Sequence, residues 1–348
     1  MKKIVLILAT IVMLTGLFLA WKIFGSATSF QATSKYLYIS SRNATKEGIL
    51  NQLQKDSMVS STASFNWLAG RMNYWDKIKP GKYNIAAGNS VLTIIRLLRN
   101  GQQTPVNLVI TKLRTKEDLA SLAGKRFESD SLSMIDYLNS NDSLSKYNLD
   151  SNTVMTAVLP NTYTFFWNTT PGNIFNKLVR QYNAYWTDVR RQLAADKGLT
   201  PQTAYILASI VEEETNKKDE KGNIASVYLN RMQKGMRLGA DPTVKFALKD
   251  FSLKRIYNKH LSVESPYNTY KVTGLPPGPI CTPSANTIEA VLQSPKTDYL
   301  YFVARSDFSG YHTFAKTYQD HLRFAKEYQT ALNKYLQRTQ PAKDNLDK

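Results

Sequence analysis

The sequence is short of cysteine, of acidic residues and of long apolar runs, and the first of these shortages excludes particular kinds of site. Cys281 is the one cysteine in 348 residues, so an intramolecular disulfide and a CxxC-type zinc site are both excluded. No fixed-period repeat and no low-complexity segment occurs, which excludes a repeat array. The composition, 43% apolar and 11% aromatic, favours two or three modest folded units over a disordered chain.

Acidic residues are too few to balance the basic ones. The chain has 45 Lys and Arg against 27 Asp and Glu, a net charge of +18, and the cations are spread along its whole length. Such a charge favours an anionic surface or polymer as a partner. Nucleic acid is one such polymer, and acidic lipid headgroups and the carboxylates of cell-wall material are the others.

One apolar run stands near the N-terminus. Lys2 and Lys3 precede an uncharged stretch at residues 4–21, which matches the roughly 18 residues that cross a bilayer's hydrocarbon. A cleaved signal peptide is the alternative, but its apolar region usually has only about 7 to 15 residues. We expect a retained, single-pass anchor with Trp21 and Lys22 at the interface. The basic residues predict a cytoplasmic N-terminus and an outward-facing remainder, which argues against nucleic acid.

The pattern divides the chain into six segments. After the anchor in residues 1–24, a small polar tether is predicted at 25–34, then a subdomain at 35–103, a connecting α/β segment at 104–198, a larger domain at 199–339 and a polar tail at 340–348. The 35–103 subdomain is predicted to contain, in order, a strand from 35, helices at 46–55 and 61–75, a strand at 81–85 and a helix at 90–100 that Gly101 ends. This order is similar to a LysM module, which binds glycan, although a plain spacer is an equal alternative.

The later segments have helices and a weak strand pair. A strand is expected at VNLVI, a turn at 159–167 and one long helix at 171–193. Thr200 and Pro201 predict the start of a helix that reaches the glutamates near 214, because they suit the N-cap and the first turn. A second helix is expected at 223–234, and the strand pair at 299–304 and 312–315.

Three consecutive carboxylates follow the apolar residues of that first helix. Glu212, Glu213 and Glu214 come directly after residues 204–211. The helix C-terminus carries partial negative charge, so an anion there is destabilised and its proton is held more tightly. A carboxyl group that titrates near neutrality suits a general acid. Successive helical residues point about 100° apart, so at most two of the three can face one cleft. The alternative is a solvated acidic patch balanced by Lys217 and Lys218.

Several motifs appear in one order along the second half of the chain. They are ASIVEEET from Ala208, NR at 230, DPT at 241, YNTY at 267, LPPG at 275, YLYFVA at 299 and HTF at 312. Over about residues 159–325 this sequence resembles the YceG-like family, whose members are membrane-anchored endolytic murein transglycosylases. The resemblance implies an α+β fold: an N-terminal transmembrane helix, a LysM-like βααβ subdomain and a C-terminal mixed α/β catalytic domain with a helix-borne Glu.

The resemblance assigns the catalytic role to one of the three glutamates. The family pattern reads ASIVEKET, and the Glu before the Thr is the catalytic acid, which corresponds to Glu214 here. Glu213 replaces the family's Lys, and we expect its like charge to raise the pKa of Glu214 further. Glu212 is the alternative catalytic residue, and otherwise an orienting or substrate-binding neighbour.

The other matching positions are expected to bind substrate. They are Glu212, Glu220, Asn230, Arg231, Asp241, Thr243, Tyr267, Asn268, Thr269, Tyr270 and His312. Lys221 stands where the family has Arg, and Gly239 and Ala240 replace polar residues before DPT, which removes any contact made through those side chains. Each position alone is equally typical of a turn, a cap or a packed side chain. Together they predict a polar groove lined by aromatic rings.

By resemblance, the chain cleaves the β-1,4 bond between N-acetylmuramic acid and N-acetylglucosamine in nascent glycan strands. The products are 1,6-anhydromuramyl ends, strand elongation stops, and no cofactor or metal takes part. Expected partners are the glycan strands and the peptidoglycan synthesis machinery. The alternative of another class is a non-catalytic, membrane-anchored wall-binding protein. A nucleic-acid-binding protein would also suit the charge, but the scattered lysines and the exported topology disfavour it.

Overall fold

The structure is a computed structural model that describes residues 2–339, so the predicted tail at 340–348 lies outside it. The chain divides into two units. The first comprises Met1–Leu108, Leu122–Ser131 and Tyr163–Pro171; the second comprises Val109–Ser121, Leu132–Thr162 and Gly172–Lys348. The described chain is mixed α/β, as predicted.

The described residues form fifteen α-helices and six strands. The helices are α1 Lys2–Phe24, α2 Lys46–Lys55, α3 Thr62–Arg71, α4 Val91–Asn100, α5 Lys116–Gly124, α6 Ser131–Asn139, α7 Asn141–Ser145, α8 Pro171–Tyr185, α9 Asp188–Ala195, α10 Pro201–Glu214, α11 Lys221–Gln233, α12 Asp241–Leu248, α13 Asn258–Leu261, α14 Ala285–Leu292 and α15 Tyr318–Thr339. The strands are β1 Ser34–Ile39, β2 Gly81–Ala86, β3 Val106–Ile110, β4 Asn161–Phe165, β5 Tyr301–Ala304 and β6 His312–Ala315. Within residues 2–339 they pair as β1–β2, β3–β4 and β5–β6.

The first unit contains the strand, helix, helix, strand order that the sequence predicts. β1 and β2 are antiparallel, from Ser34 opposite Ala86 to Ile39 opposite Gly81. Buried side chains of both strands pack on α2, α3 and α4 in one core. Gly101 ends α4 with a φ of 69°, a left-handed conformation that glycine adopts without strain.

Helix α1 is the apolar run near the N-terminus. Its 23 residues are long and apolar enough to cross a membrane, and no other helix among residues 2–339 meets that test. Nearly all of its side chains are exposed, and Ile23 near its C-terminal end packs against the core of the first unit. The helix is therefore compatible with a membrane anchor.

Helix α10 is the centre of the second unit. Thr200 caps it and exchanges hydrogen bonds with Thr203, and Pro201 occupies the first turn, as predicted. Residues 204–211 are all buried, and the helix packs against α11, α12 and α14. The Ser209 hydroxyl accepts a hydrogen bond of 3.0 Å from the backbone N–H of Ile280, which holds the segment after LPPG against the helix. The carboxylates at the end of α10 therefore emerge from a rigid core.

Three local predictions were wrong. The helix expected over 171–193 is two helices, because Thr187 breaks it and caps α9 through the backbone N–H of Arg190. The expected turn at 159–167 contains the strand β4, and the helix expected to reach residue 75 ends at Arg71. The 22-residue α15 was not predicted.

Candidate active site

Glu214 lies in a cleft of the second unit. It is the last residue of α10, and Thr215 after it is extended. The cleft has a volume of about 390 Å³. Its lining residues are Glu214, Tyr228, Arg231, Gly239, Asp241, Tyr270, Tyr301, Phe302, Tyr318 and His321. The Glu214 carboxyl group therefore lies in a cavity that is lined largely by aromatic rings.

The Glu214 carboxyl is held in place by a tyrosine of α11. The Tyr228 hydroxyl donates a hydrogen bond of 2.5 Å to Oε1 of Glu214, which leaves Oε2 to carry a proton. Burial raises the pKa of Glu214 to about 7, and the negative charge of Asp241 acts in the same direction. The Tyr228 hydrogen bond and the cations Arg231 and Lys245 oppose the rise. The group is therefore protonated in a large fraction of molecules near neutral pH, as a general acid requires.

Asp241 and Tyr270 form the next part of the cleft. Asp241 is the first residue of α12, and its Oδ1 accepts a hydrogen bond of 2.6 Å from the Tyr270 hydroxyl. Burial, followed by this hydrogen bond to a carboxylate, raises the pKa of Tyr270 far above its usual value. Tyr270 thus stays a donor at any physiological pH and keeps the Asp241 carboxylate oriented.

Arg231 connects the cleft to two backbone segments. Its Nε donates to the carbonyl of Leu300 at 2.6 Å, and one Nη donates to the carbonyl of Leu238. The guanidinium lies 5.3 Å from the ring centre of Tyr301. Arg231 therefore fixes the start of β5 beside the cleft and contributes a positive charge to it.

An aromatic wall, which we define as Tyr301, Tyr318 and His321, lines another part of the cleft. The His321 ring stacks on Tyr301 with centroids 5.3 Å apart and planes 24° from parallel. Its Nδ1 is buried and has no hydrogen-bond partner among residues 2–339. Burial and the nearby Arg231 charge lower the pKa of His321, so the ring is neutral near pH 7.

The other two glutamates of the triplet do not line this cleft. Glu212 pairs with Nζ of Lys221 at 2.8 Å and accepts hydrogen bonds from Thr287 and from Ser284. Burial raises the pKa of Glu212, but these hydrogen bonds outweigh it, so its pKa lies below the usual range. Glu213 pairs with Lys112 at 2.5 Å and Arg114 at 3.4 Å. The negative charge that raises the pKa of Glu214 is that of Asp241. The charge of Glu213, which we expected to have this effect, is instead balanced by Lys112 and Arg114.

The structure brings four of the predicted site residues together in the cleft, namely Glu214, Arg231, Asp241 and Tyr270. Glu220 and His312 contact each other instead, with 3.1 Å between Oε2 and Nδ1, and the His312 ring meets the edge of Phe302. Asn230 donates to the carbonyls of Thr297 and Tyr299.

Of the remaining predicted residues, Tyr267, Asn268 and Thr269 lie in one loop beside the cleft, and Thr243 lies in α12. Asn268 donates to the carbonyls of Leu261 and Val263, and both Thr243 and Thr269 are fully buried and share a hydrogen bond of 2.8 Å. Tyr267 packs on Phe246 with ring centres 4.6 Å apart. These side chains hold the backbone on either side of Asp241 and Tyr270.

Sequence reasoning missed five of the lining residues. Tyr228, Tyr301, Phe302, Tyr318 and His321 line the cleft. Of these, only Tyr301 and Phe302 belong to a motif noted in the sequence, YLYFVA, which was interpreted as part of the family resemblance and of a strand pair. One signal for Tyr228 was available: it stands three residues before Arg231 on α11, so the two share a face. No group of three or more metal-ligating side chains occurs within residues 2–339.

The chain is similar in sequence to one known family and to named bacterial proteins. The sequence profile of the YceG-like family matches residues 38–327. A protein of Bacillus subtilis named endolytic murein transglycosylase is 38% identical over 161 residues, which is 46% of this chain and 44% of that protein. A protein of the same name from Streptococcus pneumoniae is 26% identical over 315 residues, covering 79% of this chain and 55% of that one. The chain thus spans about half the length of these curated relatives.

A solved structure gives the same relationship at the level of the fold. The crystal structure of a yceG-like protein from Listeria monocytogenes has a TM-score of 0.54 and 25% sequence identity to this chain. The match covers 84% of this chain and 98% of the Listeria chain.

Proposed function

This chain belongs to the YceG-like family, and we propose that it is an endolytic lytic transglycosylase of peptidoglycan. Its substrate is the β-1,4 bond between N-acetylmuramic acid and N-acetylglucosamine in nascent glycan strands, and cleavage ends strand elongation. The observation that carries the proposal is a Glu214 carboxyl whose pKa is raised to about 7 inside an aromatic-lined cleft. The names of the Bacillus and Streptococcus relatives support the same activity.

The first step is a proton transfer from Glu214. Tyr228 holds Oε1, so Oε2 gives its proton to the glycosidic oxygen as the bond to the muramyl C1 breaks. The positive charge that develops on the sugar is stabilised by the Asp241 carboxylate, which Tyr270 keeps oriented. Aromatic faces of Tyr301, Tyr318 and His321 suit the apolar face of a sugar ring.

In the second step, the Glu214 carboxylate recovers a proton. The muramyl 6-hydroxyl attacks C1, its proton passes to Glu214, and the ring closes as a 1,6-anhydromuramyl end. The departing N-acetylglucosamine keeps the first proton, so atoms and charge balance without water. Retaining and inverting glycosidases normally need two carboxyl groups about 5 to 9.5 Å apart. An internal hydroxyl removes the need to position a water molecule.

We further propose how the segments serve this activity. Helix α1 anchors the chain in the cytoplasmic membrane as a single span, with the cleft on the outer side, where nascent glycan lies. The βααβ subdomain is LysM-like and follows a short tether, while residues 199–339 form the catalytic domain. Partners are glycan strands and the synthesis machinery that makes them.

The experiment is a comparison of two single substitutions on polymeric glycan. The chain in detergent should release anhydromuropeptides, and Glu214→Gln should lower the rate about 10² to 10⁴-fold, because a general acid contributes that much. Glu213→Gln removes a charge from the same triplet outside the cleft and should retain the rate within a few-fold. Thermal unfolding of each variant checks that it is folded.

Two outcomes would refute the proposal. Full activity of the Glu214→Gln variant would show that Glu214 is not the catalytic acid. Binding of glycan without turnover by the unchanged chain would instead favour the non-catalytic wall-binding protein.

A further inference from the structure

The first unit contains an apolar groove beside the C-terminal end of α1. Its volume is about 360 Å³, and its lining includes Phe18, Leu19 and Lys22 of α1 together with Ala63 and Trp67 of α3. Among residues 2–339, Lys22 is the only charged residue that lines it. Half of the Trp67 side chain is exposed there. Neither the proposed mechanism nor the names of the related proteins give this groove a role.

The segment that follows α1 is bonded directly to the first unit. Ala27 is 4% exposed, and its backbone N–H donates a hydrogen bond of 3.0 Å to the carbonyl of Asn89. The carbonyl of Ala27 accepts a hydrogen bond of 2.8 Å from the backbone N–H of Ser60. Helix α1 ends at Phe24, and the chain from there to Ala27 reaches at most about 10 Å. The first unit therefore begins beside the end of α1, so a membrane that α1 crosses lies next to it.

The groove lies at the level where α1 would leave a bilayer. The uncharged stretch of α1 ends at Trp21, and Lys22 follows it. Phe18 and Leu19 precede Lys22 by about one helical turn, roughly 5 Å along the axis, so they belong to the edge of the hydrocarbon. Because Trp67 lines the same groove as Phe18, α3 approaches that level too. Tryptophan is enriched at this depth, since its ring suits the headgroup region.

The helices beside the groove suit an anionic surface. Helices α3 and α4 contain Arg71, Arg96 and Arg99 and no acidic residue. The Arg71 guanidinium lies 5.9 Å from the ring centre of Trp67, and Lys22 adds a cation on α1. Cations next to a membrane attract anionic lipid headgroups.

We propose that the first unit lies on the membrane surface and that the groove binds an anionic phospholipid of the bilayer that α1 crosses. An acyl chain fills the groove, Trp67 lies at the headgroup level, and Lys22 and Arg71 supply positive charge for the phosphate. The inference rests on the proposed anchoring by α1. Lipid is favoured over a helix of another chain because the bilayer around α1 supplies it directly, and because the cations beside the groove match its phosphate.

The test uses the full chain in lipid discs that contain brominated phospholipids, which quench a fluorescent label on contact. Cys281 is 1% exposed, so a thiol-reactive label attaches to an introduced cysteine instead. Ala63→Cys places the label in the groove, at an exposed position of α3. Leu14→Cys places it within the apolar run of α1 and reports whether α1 spans the bilayer. Thermal unfolding of each labelled chain checks that it is folded.

The matched control is an exposed position on the other side of the first unit. Asn84 of β2 is exposed, whereas its neighbours Tyr83 and Ile85 are buried in the core that faces the helices. Because successive strand residues point to opposite faces, Asn84 points away from α3 and α4. Brominated lipid should quench the labels of Ala63→Cys and Leu14→Cys to similar extents and leave the label of Asn84→Cys unquenched.

A second arm identifies the headgroup. At equal lipid composition, bromine carried on phosphatidylglycerol should quench the label of Ala63→Cys more than bromine carried on phosphatidylcholine. Arg71→Gln should lower this preference about fivefold, because one cation close to an anionic surface contributes about 1 kcal/mol. Lys82→Gln removes the same charge from the strand face that carries Asn84 and should leave the preference unchanged.

The outcomes separate this inference from the anchoring on which it rests. Quenching of the label of Leu14→Cys without quenching of that of Ala63→Cys would overturn the inference and leave the anchor in place. No quenching at either position would contradict the anchor itself. Equal quenching by the two lipids would overturn the anionic headgroup. Quenching in the groove that disappears when a disc holds two chains would make a second copy the occupant and overturn the lipid.

Discussion

Replacing Glu214 by glutamine should stabilise the protein, and the gain should depend on pH. Burial raises the pKa of Glu214 from 4.5 to about 7 in the folded chain, so ionisation is harder there than in the unfolded chain. Below pH 4.5 the carboxyl is protonated in both states and costs nothing. Between pH 4.5 and about 7 the unfolded chain ionises first, and the folded state becomes progressively less stable relative to it.

The size of the effect follows from that shift. Each pKa unit corresponds to about 1.4 kcal/mol, so the folded state is penalised by roughly 3 kcal/mol above pH 7. Glutamine has no charge to bury and can still accept the Tyr228 hydrogen bond through its amide oxygen. Glu214→Gln should therefore be about 2 to 3 kcal/mol more stable at pH 8, and nearly equal to the unchanged chain at pH 4.

The assay is denaturant unfolding at a series of pH values, monitored with a probe that reports on the second unit. Glu264→Gln is the matched control, because its side chain is 88% exposed and its substitution should change little at any pH. The stability gain of Glu214→Gln over the unchanged chain should be larger at pH 8 than at pH 4. An equal gain at both pH values would refute the claim that burial destabilises the ionised Glu214 carboxyl.

Three further substitutions test the neighbourhood of the site. Tyr228→Phe removes a hydrogen bond that lowers the pKa of Glu214. The alkaline limb of the pH–rate profile should therefore move to higher pH by about one unit. A shift to lower pH would contradict the assignment of Glu214 as the general acid. Lys221→Met leaves the Glu212 carboxylate buried without its cation and should cost about 3 to 5 kcal/mol near neutral pH, a loss that shrinks on acidification because Glu212 can then take up a proton. Gly278→Ala would push a Cβ into the backbone of Asn152 and should cost about 1 to 3 kcal/mol in denaturant unfolding, whereas Gly70→Ala in α3 meets no atom and should not destabilise.

Local signals in the sequence predicted α10, the helix that carries Glu214. Thr200 and Pro201 predicted where α10 begins, and the apolar run that ends at Val211 predicted that the helix is buried. Both signals are visible in the sequence because capping and helical periodicity act over only a few residues. The strand and helix order of the 35–103 subdomain followed from equally local patterns. The break at Thr187 escaped prediction because the apolar pattern continues through it, while the capping hydrogen bond decides the boundary.

The lining of the cleft depends on contacts between distant parts of the chain. Glu214 and His321 are more than a hundred residues apart, and nothing in the local pattern of α15 indicates that His321 faces a carboxyl on α10. The conspicuous motifs were more easily found than their geometry: DPT and YNTY contribute Asp241 and Tyr270 to the cleft, while Thr243 and Thr269 bond to each other in the frame. A motif identifies the segment, but packing determines which of its side chains face the cavity.

The central claim is that an internal hydroxyl, and not water, completes the reaction at Glu214. Digestion of purified glycan by the chain in water enriched in oxygen-18, followed by mass spectrometry of the new ends, tests this claim most directly. The account predicts 1,6-anhydromuramyl ends, each one water lighter than a reducing end, with no heavy oxygen incorporated. Reducing ends that contain oxygen-18 would show hydrolysis and contradict the account.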